Sequence, residues 1–170
     1  KLNCKFIIIG TWGQNIKKYN MNNYENIYDI CSNHKNTILT LEKLSSNFLL
    51  SVDNSYQIKI WELNKFESKQ SFLINKFKKL IVMDYNNVVI SCKHQLEIWN
   101  ITEQKCKKII SCPETNFLIK LKKNIILFNE MNEKYVIIWD IEKQLSIKTF
   151  NLSNNNQIGI LSIKLSNKLI

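Results

Sequence analysis

The sequence predicts an all-β protein in which four-stranded antiparallel sheets recur about every forty residues and stack face to face. Three observations lead there. Short apolar runs ending in an aromatic residue recur as Ile58-Lys59-Ile60-Trp61, Leu96-Glu97-Ile98-Trp99 and Val136-Ile137-Ile138-Trp139, with a weaker copy at Ile16-Lys17-Lys18-Tyr19. The steps between those aromatics are 42, 38 and 40 residues, a spacing that signals an internal structural repeat. No window carries a sustained i, i+3, i+4, i+7 apolar stripe, so helix is expected to be nearly absent.

Within each unit the expected elements follow one order. The opening strands are placed at 38–44, 80–84, 117–121 and 158–165. The second strands are the apolar segments Phe6-Ile7-Ile8-Ile9, Phe48-Leu49-Leu50-Ser51, Val88-Val89-Ile90-Ser91 and Ile125-Ile126-Leu127-Phe128. Each of these meets its aromatic-bearing partner across a few polar residues, which is the pattern of a hairpin. A more polar strand closes the unit, at 27–31, 68–73, 105–110 and 145–150. The two middle strands are almost continuously apolar, and a single unit cannot bury both its faces, so neighbouring units must cover one another. Lys69, Lys105, Lys107 and Lys108 fall on the last strand, where charge discourages pairing with other chains. With three glycines and one proline for so many turns, Asn, present 24 times, is expected to take the left-handed positions.

The 170 residues form one domain-sized segment, with repeats at 1–36, 37–75, 76–112 and 113–152 and the start of another at 153–170. Leu2-Asn3-Cys4-Lys5-Phe6-Ile7 resembles Leu165-Ser166-Asn167-Lys168-Leu169-Ile170, so the segment enters and leaves the pattern at nearly the same phase. Either 158–165 completes the first unit and closes a ring of four, or the segment belongs to a longer array. The second reading is the favoured one.

Composition narrows the function. Apolar residues make up 45% and charged residues 22%, which excludes a disordered chain. The apolar runs are far too short to span a bilayer as helices. All 24 basic residues are lysine and the net charge is +10, which allows polyanions to adhere. The lack of arginine argues against base-specific readout. Five cysteines, at 4, 31, 92, 106 and 112, are odd in number and irregular in spacing, so they suggest small buried hydrophobes in a reducing, intracellular compartment, cytoplasmic or nuclear.

The Ile-x-Ile-Trp strands, the Trp139-Asp140 pair and the forty-residue period resemble the WD-repeat β-propeller family over nearly the whole chain. The resemblance implies a β-propeller of four-stranded antiparallel blades, with about four blades here out of a seven- or eight-bladed ring. It also implies that His34, Ser51, Asp53 and Trp61, which occur in the family's order, form its structural hydrogen-bond tetrad.

No catalytic constellation is legible. His34 has a structural reading, and His94 lies in the short turn Lys93-His94-Gln95. Neither stands at nucleophilic or metal-binding spacing, and no glycine-rich phosphate loop exists. Glu130 and Glu133 fall in an exposed turn, where no dry pocket tunes a carboxyl for acid–base work. No catalytic residue, metal, cofactor or small-molecule substrate is therefore expected. Tyr24, Tyr28, Tyr56 and Tyr85 sit in or near loops, a weak case for base stacking set against ordinary packing between blades.

Propellers of this family generally dock protein partners on one loop face. Here that face would be built from 12–15, 54–57, 93–95 and 129–132 together with 32–36 and 112–115, with Trp12, Asn54, Tyr56, Lys93, His94 and Asn132 as the contact residues. The expected function is a non-catalytic scaffold or adaptor for one or more proteins; the alternative is a lysine-rich surface for RNA or another polyanion. Tyr56→Ala and His94→Ala are expected to weaken partner capture without lowering stability.

Overall fold

The structure, a computed structural model, describes residues 6–12, 14–30, 33–65, 67–129 and 134–151, with the backbone alone for 28–30. Fifteen strands and no helix occur among the described residues. The first sheet has three described strands, β1 (Phe6–Gly10), β2 (Ile16–Asn20) and β3 (Asn26–Ile30), in that order. The second sheet contains β4 (Ile38–Lys43), β5 (Phe48–Asp53), β6 (Gln57–Glu62) and β7 (Glu67–Leu73). The third contains β8 (Lys79–Val82), β9 (Asn87–Ser91), β10 (Gln95–Asn100) and β11 (Lys105–Ser111). The fourth contains β12 (Leu118–Lys120), β13 (Ile125–Asn129), β14 (Tyr135–Asp140) and β15 (Leu145–Asn151). Each sheet is an antiparallel meander in chain order, like a propeller blade. The opening strand expected at 158–165 lies outside the described residues.

Burial follows the pattern that the apolar runs dictate. In the second sheet all of β5 after Phe48 and the four central residues of β6 are buried. The outer strands β7, β11 and β15 are mostly exposed, with the lysines on the edge. Strands β1, β4, β8 and β12 run beside one another, so the sheets fan out from a common inner edge.

Between the sheets lie three apolar layers. Ile8 and Ile16 of the first sheet pack on Leu49 and Trp61 of the second. Leu50, Val52, Ile58 and Ile60 pack on Leu80, Val88 and Ile90 of the third. Val89, Leu96 and Ile110 pack on Ile126, Phe128 and Ile137 of the fourth. A Cβ on Gly10 would come within 2.9 Å of Ile38 Cγ2, so the close approach of the first two sheets uses a glycine.

The register places a bulge at the same point in every sheet. Pairing slips between Lys18 and Tyr19, Ile60 and Trp61, Ile98 and Trp99, and Ile138 and Trp139. The extra outer-strand residues are Ile27, Lys69, Lys107 and Ile147, and each bulge bends the outer strand beside the aromatic column. Turns repeat as well. The backbone N–H groups of Leu63, Ile101 and Ile141 donate to the carbonyls of Asn47, Asn86 and Asn124, tying two turns of each sheet together.

The expectation that Asn would supply the left-handed turn residues is corrected. Among the described non-glycine residues with positive φ, only Asn33 is an Asn; the others are Gln14, Tyr24, Tyr56, Gln104 and Gln144. Asn and Asp act instead through their side chains. Asn100 Oδ1 accepts from Glu103 N–H, and Asp140 Oδ1 from Glu142 and Lys143 N–H, which satisfies turn donors without a left-handed backbone. Gln104→Gly and Gln144→Gly should therefore each raise the unfolding free energy by about 1 kcal/mol in a urea titration, because glycine carries no Cβ penalty at positive φ.

Candidate functional site

Antiparallel meanders place the β1–β2, β5–β6 and β9–β10 turns at the same end of the sheets as the loops entering β4, β8 and β12. That end contains the proposed docking residues and, just beneath them, the histidine network.

His34, in the loop before β4, is buried with Ser51, Asp53 and Trp61. The Trp61 indole N–H donates to Ser51 Oγ over 2.8 Å. Ser51 Oγ lies 2.6 Å from His34 Nε2, and His34 Nδ1 lies 2.9 Å from Asp53 Oδ2. One assignment satisfies every atom: Ser51 donates its hydroxyl proton to Nε2, and Nδ1–H donates to the carboxylate. Asp53 Oδ1 accepts from Ser55 N–H at 2.9 Å, Ser55 Oγ at 2.6 Å and Gln57 N–H at 3.0 Å. The network thereby binds the incoming loop to the β5–β6 turn, and all four residues grouped from sequence are brought together.

Serine, histidine and aspartate in this order have the connectivity of a nucleophilic triad. Ser51 is fully buried, however, and its oxygen already accepts the indole N–H, so no substrate carbonyl has a path to it. The arrangement is suited to fixing a loop.

Burial pushes the His34 pKa below its ordinary value of 6.5, against the pull of Asp53, and keeps the ring neutral. Burial alone would raise Asp53, but hydrogen bonds from Ser55, Gln57 and His34 outweigh it and hold the carboxyl below 3.8. For a base with a depressed folded-state pKa, the unfolded chain takes up its proton first. Stability should therefore be greatest above pH 6.5 and fall as the pH drops below it, with a slope approaching about 1.4 kcal/mol per pH unit. Chemical denaturation between pH 7.5 and 5 checks this, and the slope should largely vanish in His34→Ala.

The other sheets fill the same column differently. Register aligned on the aromatic places Ile9, Ile90 and Phe128 where Ser51 stands. In the third sheet the Trp99 indole N–H donates instead to Glu97 Oε2 at 2.7 Å, and Gln95 Nε2 holds the other oxygen at 2.6 Å. In the fourth sheet the Trp139 ring packs against Phe128, with centroids 6.3 Å apart, and its N–H finds no acceptor among the described residues. Loop fixation persists there by another route: Asn129 Oδ1 accepts from Asn116 and Phe117 N–H, both at 3.0 Å.

Above the network, Trp12 is 90% exposed, and Asn54, Lys93 and His94 are exposed in their turns. Tyr56 departs from expectation. It is half-buried against the core between the second and third sheets, and its N–H and carbonyl bond to Asp53 O and Ile74 N. Tyr56→Ala therefore removes packing, and the expectation that it would leave stability unchanged is withdrawn. Asn132, with Glu130 and Glu133, lies outside the described residues.

The opposite end of the sheets has a groove that the sequence reading did not find. It encloses about 360 Å³ between the second and third sheets, with Leu44, Phe48, Ile60 and Ile101 as apolar walls and Tyr85 and Lys69 at its rim. Phe48 and Tyr85 each lie beside a β-turn, but only the stacking of two sheets makes them neighbours.

Among the described residues, Cys92, Cys106 and Cys112 are free thiols, and burial pushes Cys92 up to about 12 and Cys112 up to about 11. Thiols in that range act as packing groups, not as nucleophiles. Cys4 and Cys31 lie outside the described residues. No group of three or more His, Cys, Asp or Glu able to hold a metal occurs among the described residues, and no helix there is long and apolar enough to cross a membrane. Compared with known proteins, the chain matches no family model and no curated protein.

Proposed function

We propose that this chain is a segment of a WD-repeat β-propeller that acts as a non-catalytic platform, docking protein partners on the loop face above the histidine network. The observation that carries the reading is an exposed tryptophan on a stiffened base. Trp12 stands 90% exposed on the same face whose loops are tied down by His34–Asp53 and Asn129. Large amphipathic rings on pre-organised loops supply contact area at low entropic cost. Lys93 and His94 would add polar contacts around that anchor.

Polyanion binding by the lysine coat draws less support. Lys69, Lys78 and Lys107 are each engaged by a carboxylate, Glu62, Glu114 and Glu103 in turn. The test compares affinity capture of partner proteins by the wild type, Trp12→Ala/His94→Ala, and Tyr85→Ala on the opposite face. The double variant should lose capture roughly tenfold or more with an unchanged unfolding midpoint, and Tyr85→Ala should keep it. Equal loss from both variants overturns the docking face. RNA binding that weakens steeply with salt, without a stable protein partner, favours the polyanion reading.

A further inference from the structure

Three segments of the loop face converge above the third sheet. Lys78 N–H donates to the Ser91 carbonyl over 3.0 Å, and Cys92 Sγ lies 3.5 Å from the Lys76 carbonyl oxygen, which binds the β7–β8 loop to the β9–β10 turn. Cys112 N–H donates to the His94 carbonyl over 3.2 Å and ties the β11–β12 loop to the same turn. Residues 74–78, 92–94 and 112–117 thereby come together. They carry three lysines, Lys76, Lys78 and Lys93, with His94 and a single carboxylate, Glu114. Lys76, Lys93 and His94 are exposed, and neither Lys76 nor Lys93 has an ion pair among the described residues. The other end of the sheets is mixed in sign: Lys69 is held by Glu62 and Lys107 by Glu103.

The cluster already holds one carboxylate. Lys78 Nζ lies 2.9 Å from Glu114 Oε1 and 3.4 Å from Asn116 Oδ1. The hydrogen bond from Lys78 holds the Glu114 carboxyl below its ordinary 4.5, with further pull from Lys93 and His94. The Lys78 and Glu114 side chains are 29% and 20% exposed, so the pair stands at the surface, within reach of a second carboxylate. An ion pair so placed contributes little stability. The loop has its own anchor in Asn129, whose Oδ1 accepts from Asn116 and Phe117 N–H. The fold therefore does not depend on the pair.

We propose that this cluster receives an acidic segment of the protein docked on the loop face, whose carboxylates engage Lys76 and Lys93 and replace Glu114 on Lys78. The proposal rests on the docking reading above and names the chemistry of its partner. Glu114 acts as a built-in competitor that keeps Lys78 neutralised in the unbound chain. A lone carboxylate exchanges for Glu114 without gain, whereas a run of them also reaches the two unpaired lysines. Nucleic acid fits less well. The three segments carry no exposed aromatic ring to stack a base, since Phe77 packs on the core and Phe117 is half-buried. No arginine is present to grip phosphates in pairs.

Fluorescence anisotropy of fluorescein-labelled poly-glutamate at low ionic strength tests this on the 170-residue chain. The wild type should bind it. Lys76→Glu/Lys93→Glu should weaken binding about tenfold or more. Lys122→Glu/Lys123→Glu, the same change in net charge on exposed lysines at the opposite end, should alter it less than about twofold. Glu114→Gln should tighten binding about two- to fivefold, the factor that a competing exposed ion pair is worth, with an unchanged unfolding midpoint. Glu25→Gln, the loss of one charge at the opposite end, should leave it unchanged. A wild type that does not bind overturns the proposal, and so do equal losses from the two charge-matched double variants, which trace binding to net charge alone. It is also overturned by Glu114→Gln binding no more tightly than Glu25→Gln, or by labelled poly-uridine binding more tightly than poly-glutamate with the same dependence on Lys76 and Lys93. The peptide readout is independent of partner capture. Capture that survives Lys76→Glu/Lys93→Glu but is lost in Trp12→Ala/His94→Ala removes the acidic partner and leaves the docking face standing.

Discussion

Asp53→Ala should lower the unfolding free energy by about 3–5 kcal/mol, and His34→Ala by a comparable amount. Asp53 is fully buried and its carboxylate accepts four hydrogen bonds, from His34, the Ser55 amide and hydroxyl, and the Gln57 amide. Removing it strands the buried His34 Nδ1–H and releases the part-buried Ser55 and Gln57 donors that hold the turn, and an unmade buried hydrogen bond costs about 1–3 kcal/mol. Removing His34 instead leaves a buried carboxylate oxygen and the Ser51 hydroxyl without their main partner. The two side chains serve one network, so His34→Ala/Asp53→Ala should lose much less than the sum of the single losses. Urea titrations of the four proteins measure this cycle, and strict additivity would show that the network is not a unit. The β5–β6 turn should loosen with the loss, because Asp53 holds both Ser55 and Gln57.

Phe128→Ala should cost about 3–5 kcal/mol, the usual range for deleting a fully buried aromatic ring. Phe128 is 1% exposed, occupies the column position of Ser51, and faces Trp139. Its loss opens a cavity beside an indole N–H that has no acceptor among the described residues, and the cavity lining loses its packing contacts outright. The same substitution at Phe150 should cost a folded single chain less than about 1 kcal/mol, since that ring is not enclosed. Thermal melts of the two variants should separate clearly. Equal losses would contradict the burial difference between the two rings.

The fold was largely legible because its signals are local. An apolar run ending in an aromatic residue needs only its neighbours to read as a strand, and each of the fifteen described strands falls on or within a residue or two of a segment assigned from sequence. The His34 network was legible for a different reason: four residue types in one order carry it. The remainder depends on register. Sequence runs set Ser91 beside Ser51, but pairing aligned on the tryptophans places Ile90 in that column and Ser91 one step along, on the other face of the sheet. A one-residue slip in a strand reverses every side chain. Neither the recurrent bulge nor the capture of Trp99 by Glu97 can be read before that register is known. Tyr56 was misjudged because a residue of the loop between two strands was taken as a free contact residue, whereas it packs against the core between the second and third sheets.

The graded enclosure of the sheets has a consequence for how the molecule opens. Strands β5 and β6 are almost wholly buried, while every residue of β15 is exposed. Amide protons on β5 and β6 should thus exchange with deuterium only through global unfolding, and those of β15 through fraying that costs little. The chain should behave under exchange as a rigid hub with a softer margin.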